Sequence, residues 1–512
     1  MARTLPWLLA AAVSGLANAA NAGTAVAWPP RPALVDSVVS RVVNDTAARM
    51  AARRGVRLTR PLVVRLVDAG QLAAARAALS EDAEPDAAST SADGRELRPR
   101  AVTVSGGADR LLRETLYGHL GWSFAAPVAP EVPDEVTGLY DLPHDRLLLG
   151  SWADLSTNRL PWMRDIAQAL LARRFDPERW PQVPTVSGPP DGTGPSLNRA
   201  NAVNSDCLLA RRAIVYGDAT AQALEELDPQ GNLPSPRALA GVVEALTPKL
   251  LAVGGAAAST VSSLEIRERL FLELQGLMFI AGLRAREPWT AIDEVWRRPP
   301  ASTEQLLHPE KYERGEKPDD VAARLSDADQ PHARWRIIYR DTVGEWGIRV
   351  FLERAGNPYR AERAAAGWGG DRALLVRPGA ADGAVDDAAE RDGVSAASTF
   401  VAWITTWDDD TDAEDFAAEA ALALGDLARV AVLDARPASG RLRLTDADGR
   451  LFAVERRRRT VGLLLAAPAD AENFLAGLLG GATAATPATP ATPGRRPARH
   501  PPPGDQARGR PR

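Results

Sequence analysis

The chain reads RDIAQALLARRFD over residues 164–176, and this stretch decides our expectation for the fold. Its apolar residues recur at steps of three and four positions, which is the spacing of one face of an α-helix. They are Ile166, Ala167, Leu170, Leu171 and Phe175. Pro161 suits the first turn of a helix, and Pro177 stops one. We therefore predict a helix that places Arg164 and Gln168, four residues apart, on the same side.

Short motifs lie before and after this helix in a fixed order. They are Gly-Leu-Tyr-Asp at 138–141, Gly-Asp-Ala at 217–219 and Ser-Thr-Glu-Gln-Leu-Leu-His-Pro-Glu-Lys-Tyr at 302–312. Together they resemble a family of predicted secreted bacterial zinc metallopeptidases, and the resemblance extends over about residues 138–416. It implies a zincin-like core in which a His-Glu-x-x-His helix, followed by a Glu-Gly-Asp-Ala helix, holds the metal.

Under this resemblance, every residue that would hold or activate zinc is substituted. Arg164 and Gln168 stand at the two histidine positions, and Tyr216 stands where a glutamate would be the third ligand. Asp165 replaces the general-base glutamate and is shorter by a methylene. Zinc requires about three nitrogen, sulfur or carboxylate ligands, whereas a guanidinium offers only donors. We therefore expect no cofactor and no catalytic residue here, although the family would bind zinc.

The substituted positions become candidate binding residues instead. The set is Arg164, Asp165, Gln168, Tyr216 and Asp218. The guanidinium of Arg164 suits a carboxylate such as a peptide C-terminus. Asp218 lies close to Tyr216 in the chain, where it either forms an ion pair with Arg164 or remains a solvated carboxylate on the helix surface.

The histidines and the cysteine offer other sites. His119 and His144 could each complete a metal site, or they could serve as surface and capping residues. We assign His308, within the 302–312 motif, a folding role in which it hydrogen-bonds backbone in a tight turn. Cys207 is the only cysteine, so it forms no intrachain disulfide, and we expect it to pack in a helix.

Composition and the N-terminus bound the function. The 512 residues carry a net charge of −5, which argues against a nucleic-acid surface, and no run of about twenty apolar residues predicts a membrane span. Arg3 precedes an apolar run at 5–16, and small residues follow at 17–22, as in a secretory signal. We expect export to the periplasm or the cell exterior.

The predicted fold class is α+β, with a helix-rich zincin-like core and a small C-terminal α+β layer. The expected divisions are a signal peptide at 1–22, an N-terminal α/β region at 29–130, the helical core at 131–335, a C-terminal α+β region at 336–480 and a disordered Pro/Ala/Thr/Arg tail at 481–512. Near the C-terminal end we expect Asp341 to cap a helix, residues 367–371 to form a turn, Asp412 to begin a second helix and a hairpin to form about 446–449.

Three functions remain open from the sequence. The first is an inactive metallopeptidase-like protein that binds an unknown peptide or envelope protein. The second is a zinc peptidase that uses non-standard ligands, and the third is a structural protein of the cell envelope. An exposed Arg164 in an open cleft would favour the first, whereas Tyr216 packed against Trp162 would favour the third.

Overall fold

The computed structural model describes residues 36–79, 107–122, 137–175, 204–228, 230–242, 263–321, 334–379, 398–436 and 440–484. Within these residues the chain forms fourteen α-helices and two sheets, so the helix-rich α+β class is confirmed. The predicted signal peptide lies outside the described residues. None of the described helices combines the length and the hydropathy that a bilayer span requires.

The first part of the chain builds a three-stranded sheet with helices against it. Its elements are α1 (Asp36–Arg54), β1 (Val63–Val67), α2 (Ala69–Leu79), α3 (Gly107–His119), β2 (Gly138–Asp141), β3 (Arg146–Gly150), α4 (Leu160–Phe175) and α5 (Ser205–Leu227). The strand order is β1-β3-β2, with β1 parallel and β2 antiparallel to β3. Helices α2 and α4 both pack against β2 and β3, so they lie beside the short edge strand β2.

Helix α4 is the predicted helix of the 164–176 stretch. It is buried on more than the single apolar face that the spacing indicates, because the sheet lies against it on one side and α5 on another. Met163, Ile166, Ala167 and Leu170 are fully buried, and so is Ala169. The polar residues of this helix are therefore surrounded mostly by other parts of the protein.

A long helical segment then packs against α5. It consists of α6 (Ser263–Leu270), a π-helical turn (Phe271–Gln275) and α7 (Gly276–Arg284), and three short helices follow it: α8 (Trp289–Arg297), α9 (Glu304–Leu307) and α10 (Pro309–Arg314). Glycines allow a close crossing between α5 and α7. A Cβ atom on Gly276 would lie 1.9 Å from the carbonyl oxygen of Ala213, and one on Gly217 would lie 2.2 Å from the Gly276 carbonyl carbon. The two backbones are therefore in direct contact.

The C-terminal part forms a six-stranded antiparallel sheet. The strands are β4 (Trp335–Asp341), β5 (Trp368–Pro378), β6 (Phe400–Trp407), β7 (Arg441–Thr445), β8 (Leu451–Arg457) and β9 (Thr460–Ala467), in the order β4-β5-β6-β9-β8-β7. The helices are α11 (Gly344–Leu352), α12 (Pro358–Ala365), α13 (Asp410–Ala428) and α14 (Glu472–Ala484). Phe351, Phe416 and Trp403 pack on one face of the sheet, and Phe474 with Leu464 packs on the other. Helices therefore cover both faces, and every residue of β6 is buried.

The predicted cap at Asp341 is wrong. Its carboxylate accepts hydrogen bonds from the amide and hydroxyl of Ser205, at 2.9 and 2.7 Å, so it holds the start of α5. The first amides of α11 instead bind Asp371, which accepts from Val343 at 3.0 Å and from Gly344 at 2.9 Å. The carboxylate of Asp371, on the neighbouring strand β5, thus caps α11 in place of Asp341.

Three other local predictions need correction. The predicted turn at 367–371 is mostly strand, because Trp368 already pairs with Trp407 in the sheet. Helix α13 begins before Asp412, and Asp409 caps it by accepting from Thr411 and Asp412 amides. Helix α14 continues to Ala484, four residues into the predicted tail, and the rest of that tail lies outside the described residues. The hairpin about 446–449 is confirmed by the pairing of β7 with β8.

Candidate functional site

The two polar residues at the start of the 164–176 stretch lie where α4 meets the edge strand β2. Asp165 is 8% exposed, and its carboxylate lies against Gly138 of β2. A Cβ atom at position 138 would stand 2.7 Å from the Asp165 Oδ2 atom, so only glycine lets the strand approach this closely. The Gly-Leu-Tyr-Asp motif and helix α4 are therefore in direct contact.

Arg164 faces α5 and the π-helical turn. Its Nη1 atom lies 3.5 Å from the Oε1 atom of Glu273, which belongs to the π-helical turn. Its guanidinium carbon lies 6.0 Å from the centre of the Tyr216 ring on α5. The Arg164 side chain is 21% exposed, so it is neither open to solvent nor sealed. Trp162 is 1% exposed inside the core, whereas Tyr216 is half-buried beside Arg164.

Two further arginines complete this group, which we call the motif cluster: Arg76, Arg164, Asp165, Tyr216, Arg269 and Glu273. Arg269 of α6 lies 3.4 Å from Glu273. Burial and the nearby charge of Arg269 lower the pKa of Arg76 on α2, and the charge of Asp165 opposes this. Helix α2, helix α4 and the continuous segment of α6 with the π-helical turn thus bring three guanidinium groups together with two carboxylates.

The electrostatics of the motif cluster favour positive charge. Burial works against the charged form of Arg164, but the charges of Glu273 and Asp165 outweigh it and raise the pKa of this arginine. Burial also raises the pKa of Asp165 to about 6, although Arg164 and Arg76 oppose the shift. The carboxyl group of Asp165 is therefore protonated in part of the population near pH 6, and the positive charge of the cluster grows as the pH falls.

We expect an Asp165→Asn substitution to become increasingly stabilising as the pH rises from 4 to 7. The folded-state pKa of Asp165, about 6, lies above the unfolded value of about 4, so the folded protein binds this proton more tightly than the unfolded chain. Ionisation of Asp165 in that window therefore costs roughly 3 kcal/mol of stability, which asparagine avoids. Urea unfolding of both proteins at several pH values measures the difference.

Asp154→Asn is the matched control for this experiment. Hydrogen bonds from Ser156 and Thr157 hold the pKa of Asp154 below its usual range, so the carboxylate is ionised in both states above pH 5. The stability difference between wild type and this variant should stay constant from pH 5 to 7. Parallel curves for wild type and Asp165→Asn would contradict the raised pKa of Asp165.

The motif cluster and the neighbouring Gln168 do not fit a zinc ion. The positions that the family resemblance assigns to ligands hold a guanidinium, an amide and a phenol, at Arg164, Gln168 and Tyr216. The nearby carboxylate of Glu273 already lies between two guanidinium groups. A guanidinium stays protonated and would repel the metal, so the donor set lacks the ligands that zinc needs.

Within the described residues, one group of three carboxylates has the spacing of a cation site. The ligand oxygens of Glu304, Glu316 and Asp408 lie within 4.8 Å of one another. The Lys311 ammonium stands among them, 2.8 Å from Asp408 and 3.3 Å from Glu316, and it also donates to Glu304. Lysine is therefore the counter-ion of this group, which joins α9 and α10 to the six-stranded sheet.

Other groups of the 302–312 motif also bind neighbouring elements. The Thr303 amide donates to the buried Asp206 carboxylate at 3.1 Å, and the Tyr312 hydroxyl donates to the Arg298 carbonyl at 2.9 Å. His308 does not bind backbone as predicted, because its Nε2 atom pairs with Glu345 of α11 at 2.8 Å. The hydrogen bond to Glu345 raises the pKa of His308. These contacts fit a folding role for the motif.

Asp218 lies apart from the motif cluster, and both predictions for it are wrong. Its side chain is fully buried and does not pair with Arg164. It binds Arg54 at 3.1 Å and accepts hydrogen bonds from the Trp296 indole at 2.7 Å and from Gln222 at 2.9 Å. Asp218 therefore ties α5 to α1 and α8 in the core.

The remaining candidates have local partners. His119 is buried and hydrogen-bonds Thr399 at 2.9 Å, and burial lowers its pKa to about 4. His144 lies 2.9 Å from Asp141 in the turn before β3. Cys207 is buried in α5, as predicted, and burial raises its thiol pKa to about 12. Gln168 is half-buried on α4.

Comparison with known proteins finds a match only for the C-terminal part of the chain. Residues 335–475 match the profile of a family described as a domain of unknown function, DUF8575. This range begins with β4 and ends within α14, so it spans the six-stranded sheet. No curated protein and no solved structure matches the chain. The motif cluster lies outside the matched residues.

Proposed function

We propose that this chain is an exported, zincin-like protein without catalytic activity that binds the carboxylate of a peptide or protein C-terminus at Arg164. Two features support it: the family resemblance of the motifs at 138–312 and the positive charge of the motif cluster. Export rests on the predicted signal at 1–22.

The observation that carries the proposal is the incomplete pairing of Arg164. Within the described part of the chain its guanidinium has one ion-pair partner, Glu273, at a distance of 3.5 Å, and its Nε atom has no acceptor. A guanidinium presents five donors in a planar fork that matches a carboxylate. With part of its side chain exposed, Arg164 retains donors for a ligand.

The surroundings of Arg164 favour an anion. Arg76 and Arg269 add positive charge, so three guanidinium groups face two acidic residues, and protonation of Asp165, whose pKa is about 6, widens the difference at lower pH. In a half-buried site of low effective dielectric, such an excess strengthens the attraction for a carboxylate. The half-buried ring of Tyr216 adds an apolar wall to the site.

The same residues argue against hydrolysis. Without a metal to polarise water, the Asp165 carboxylate has no activated nucleophile to deprotonate. Arg164 offers donors but cannot accept a proton. Binding is therefore the chemistry that this side-chain set can perform.

A structural role is the second candidate, and the Glu273 contact favours it. Glu273 is 5% exposed and lies between Arg164 and Arg269, so the chain supplies its own carboxylate to the motif cluster. A protein that needs no ligand would use this ion-pair group to hold α4 against the π-helical turn.

Peptide binding separates the two candidates. A pool of short fluorescein-labelled peptides with free C-termini should bind the whole protein, as measured by fluorescence anisotropy, and the amidated pool should bind at least about tenfold more weakly. Arg164→Gln should weaken binding of the free-acid pool by a similar factor. Arg173→Gln, at the far end of α4 where Arg173 pairs with Asp145 at 2.9 Å, should leave binding unchanged.

The outcomes are distinct. Equal binding of acid and amide pools, or unchanged binding by a folded Arg164→Gln protein, contradicts carboxylate recognition. No binding by either pool overturns the proposal in favour of the structural role. As a further control, zinc-loaded and desalted protein should retain less than about a tenth of a zinc ion per chain, whereas a stoichiometric ion would support the peptidase alternative. An Arg164→His/Gln168→His variant provides the comparison.

A further inference from the structure

Residues 302–316, which we call the junction segment, lie between the helical part of the chain and the elements of the six-stranded sheet. On the helical side, the Gln275 side chain of the π-helical turn donates to the Leu306 carbonyl at 2.9 Å. On the sheet side, the Trp346 amide of α11 donates to the Thr303 hydroxyl at 3.2 Å. The junction segment therefore binds both parts of the molecule.

The first titratable contact of the junction segment is the pair of His308 and Glu345. The His308 Nε2 atom lies 2.8 Å from the Glu345 Oε1 atom, and the Glu345 side chain is 4% exposed. The other carboxylate oxygen of Glu345 is buried without a hydrogen-bond donor in the described part of the chain. The hydrogen bond raises the pKa of His308, and burial raises that of Glu345. The pair therefore holds a proton near neutral pH, and loss of this proton leaves a buried anion.

The second titratable contact is formed by Lys311 and its carboxylates. The ammonium donates to Glu304, which is 2% exposed, and to Asp408 at 2.8 Å. A third carboxylate, Glu316, lies 3.3 Å from the same ammonium. Burial raises the pKa of Glu304 to about 7, helped by the charges of Glu345 and Asp408 and opposed by Lys311. Glu304 is therefore protonated in part of the folded population at neutral pH.

Four further charged groups face these contacts from the surrounding helices. They are Glu310 of α10, Arg349 of α11, Asp206 of α5 and Asp412 of α13. Asp206 is fully buried near Glu304, and burial raises its pKa well above the usual range. Glu310 is 61% exposed, so solvent screens its charge. Three of the four are carboxyl groups, so the surroundings disfavour further ionisation at the junction.

We propose that the junction segment is a pH-dependent latch between the helical part and the six-stranded sheet, which opens more readily as the pH rises from 5 to 8. When the latch opens, His308 and Glu304 reach solvent, where their ordinary pKa values are about 6.5 and about 4.3. The closed form holds both pKa values higher, so it binds protons more tightly than the open form. The stabilising contribution is therefore complete below about pH 4 and is lost as the pH rises through the folded-state values. The latch uses none of the residues of the motif cluster, so it stands independently of the proposed function.

Hydrogen–deuterium exchange of the whole protein at pH 5 and pH 8 tests the latch. After correction for the intrinsic exchange rate at each pH, peptides that cover residues 304–312 should open at least about tenfold more often at pH 8, because closing takes up protons. Peptides that cover β6, in which every residue is buried, should show no such change. This comparison separates opening of the latch from unfolding of the sheet.

Carboxyl-to-amide substitutions identify the groups that titrate. Glu304→Gln and Glu345→Gln should each reduce the pH 8 to pH 5 ratio of opening, and the double variant should bring it close to one. Glu310→Gln is the matched control, because this carboxylate lies 3.8 Å from the His308 Nδ1 atom but is 61% exposed. It should keep the wild-type ratio.

Three results would each overturn the proposal. They are equal opening of wild type at both pH values, a wild-type ratio in the folded double variant, and an equal change in the β6 peptides. Circular dichroism at both pH values establishes that each variant is folded. The wild-type comparison needs no substitution, so it decides the matter even where a variant does not fold.

Discussion

Replacing Gly276 with alanine is expected to destabilise the protein by about 3 kcal/mol or more. The new Cβ atom would stand 1.9 Å from the carbonyl oxygen of Ala213 and 2.7 Å from its carbonyl carbon. Both are backbone atoms of α5, so no side chain can rotate away, and the two helices would have to separate. Chemical denaturation of wild type and variant measures the loss.

Gly282→Ala is the matched control for this substitution. Gly282 lies on the same helix, α7, and a Cβ atom there would meet only Pro236 Cγ at 3.8 Å, an ordinary contact. Because alanine favours a helix over glycine by about 1 kcal/mol, this variant should be as stable as wild type or more so. Similar stabilities for the two variants would contradict the close crossing of α5 and α7.

The Gly276 crossing also positions the motif cluster. Glu273 lies one turn before Gly276, and Tyr216 lies next to Gly217 on the facing helix. Separation of the helices would move Glu273 and Tyr216 relative to Arg164. A folded Gly276→Ala protein should therefore bind the free-acid peptide pool more weakly as well.

The Arg54→Met substitution is expected to cost about 3–5 kcal/mol, because it leaves the buried Asp218 carboxylate without its cation and removes one of the two arginines that pair with Asp293. Arg54 is 2% exposed and lies 3.1 Å from Asp218 and 2.6 Å from Asp293. Its guanidinium also lies 4.5 Å from the centre of the Trp289 ring. Methionine fills most of the space but supplies neither the charge nor the donors. Urea unfolding at pH 7 measures the loss.

An exposed arginine on the same helix gives the comparison. Arg49 pairs with Glu226 at 2.8 Å, but its side chain is 53% exposed, so Arg49→Met should cost less than about 1 kcal/mol. Adding Asp218→Asn to Arg54→Met should restore part of the lost stability, since the uncompensated charge is then removed, whereas Asp293 keeps Arg174 as its partner. Equal losses for Arg54→Met and Arg49→Met would rule out a buried ion-pair network as the anchor of α1.

Features that depend on a few neighbouring residues were predictable from the sequence. The spacing of apolar residues predicted α4, and the turn residues at 446–449 predicted the hairpin. In each case the decisive interaction lies within one or two turns of chain. Local backbone preferences and short-range hydrogen bonds are sufficient to specify such elements.

The partners of the charged residues were not predictable in the same way. The sequence marked Arg164, Asp165 and Tyr216, and these three do converge, but it offered no sign that Glu273, Arg269 and Arg76 would join them. Glu273 appears only as one acidic residue in an amphipathic helix. The direction in which the Glu273 side chain points depends on the π-helical turn, which inserts an extra residue into the helical repeat.

What the sequence by itself determined is the helix α4, the hairpin of β7 and β8 and the helix-rich α+β class. What only the tertiary structure decided is which buried charge meets which partner: Asp218 with Arg54, Asp341 with Ser205 and Glu273 with Arg164. The spacing of apolar residues along the chain specifies which face of a helix is buried. It can do so because the hydrophobic effect depends on the apolar area that is buried and not on the orientation of the contacting groups. Ion pairs and hydrogen bonds depend on distances of a few ångströms, and those distances are set only when the helices pack.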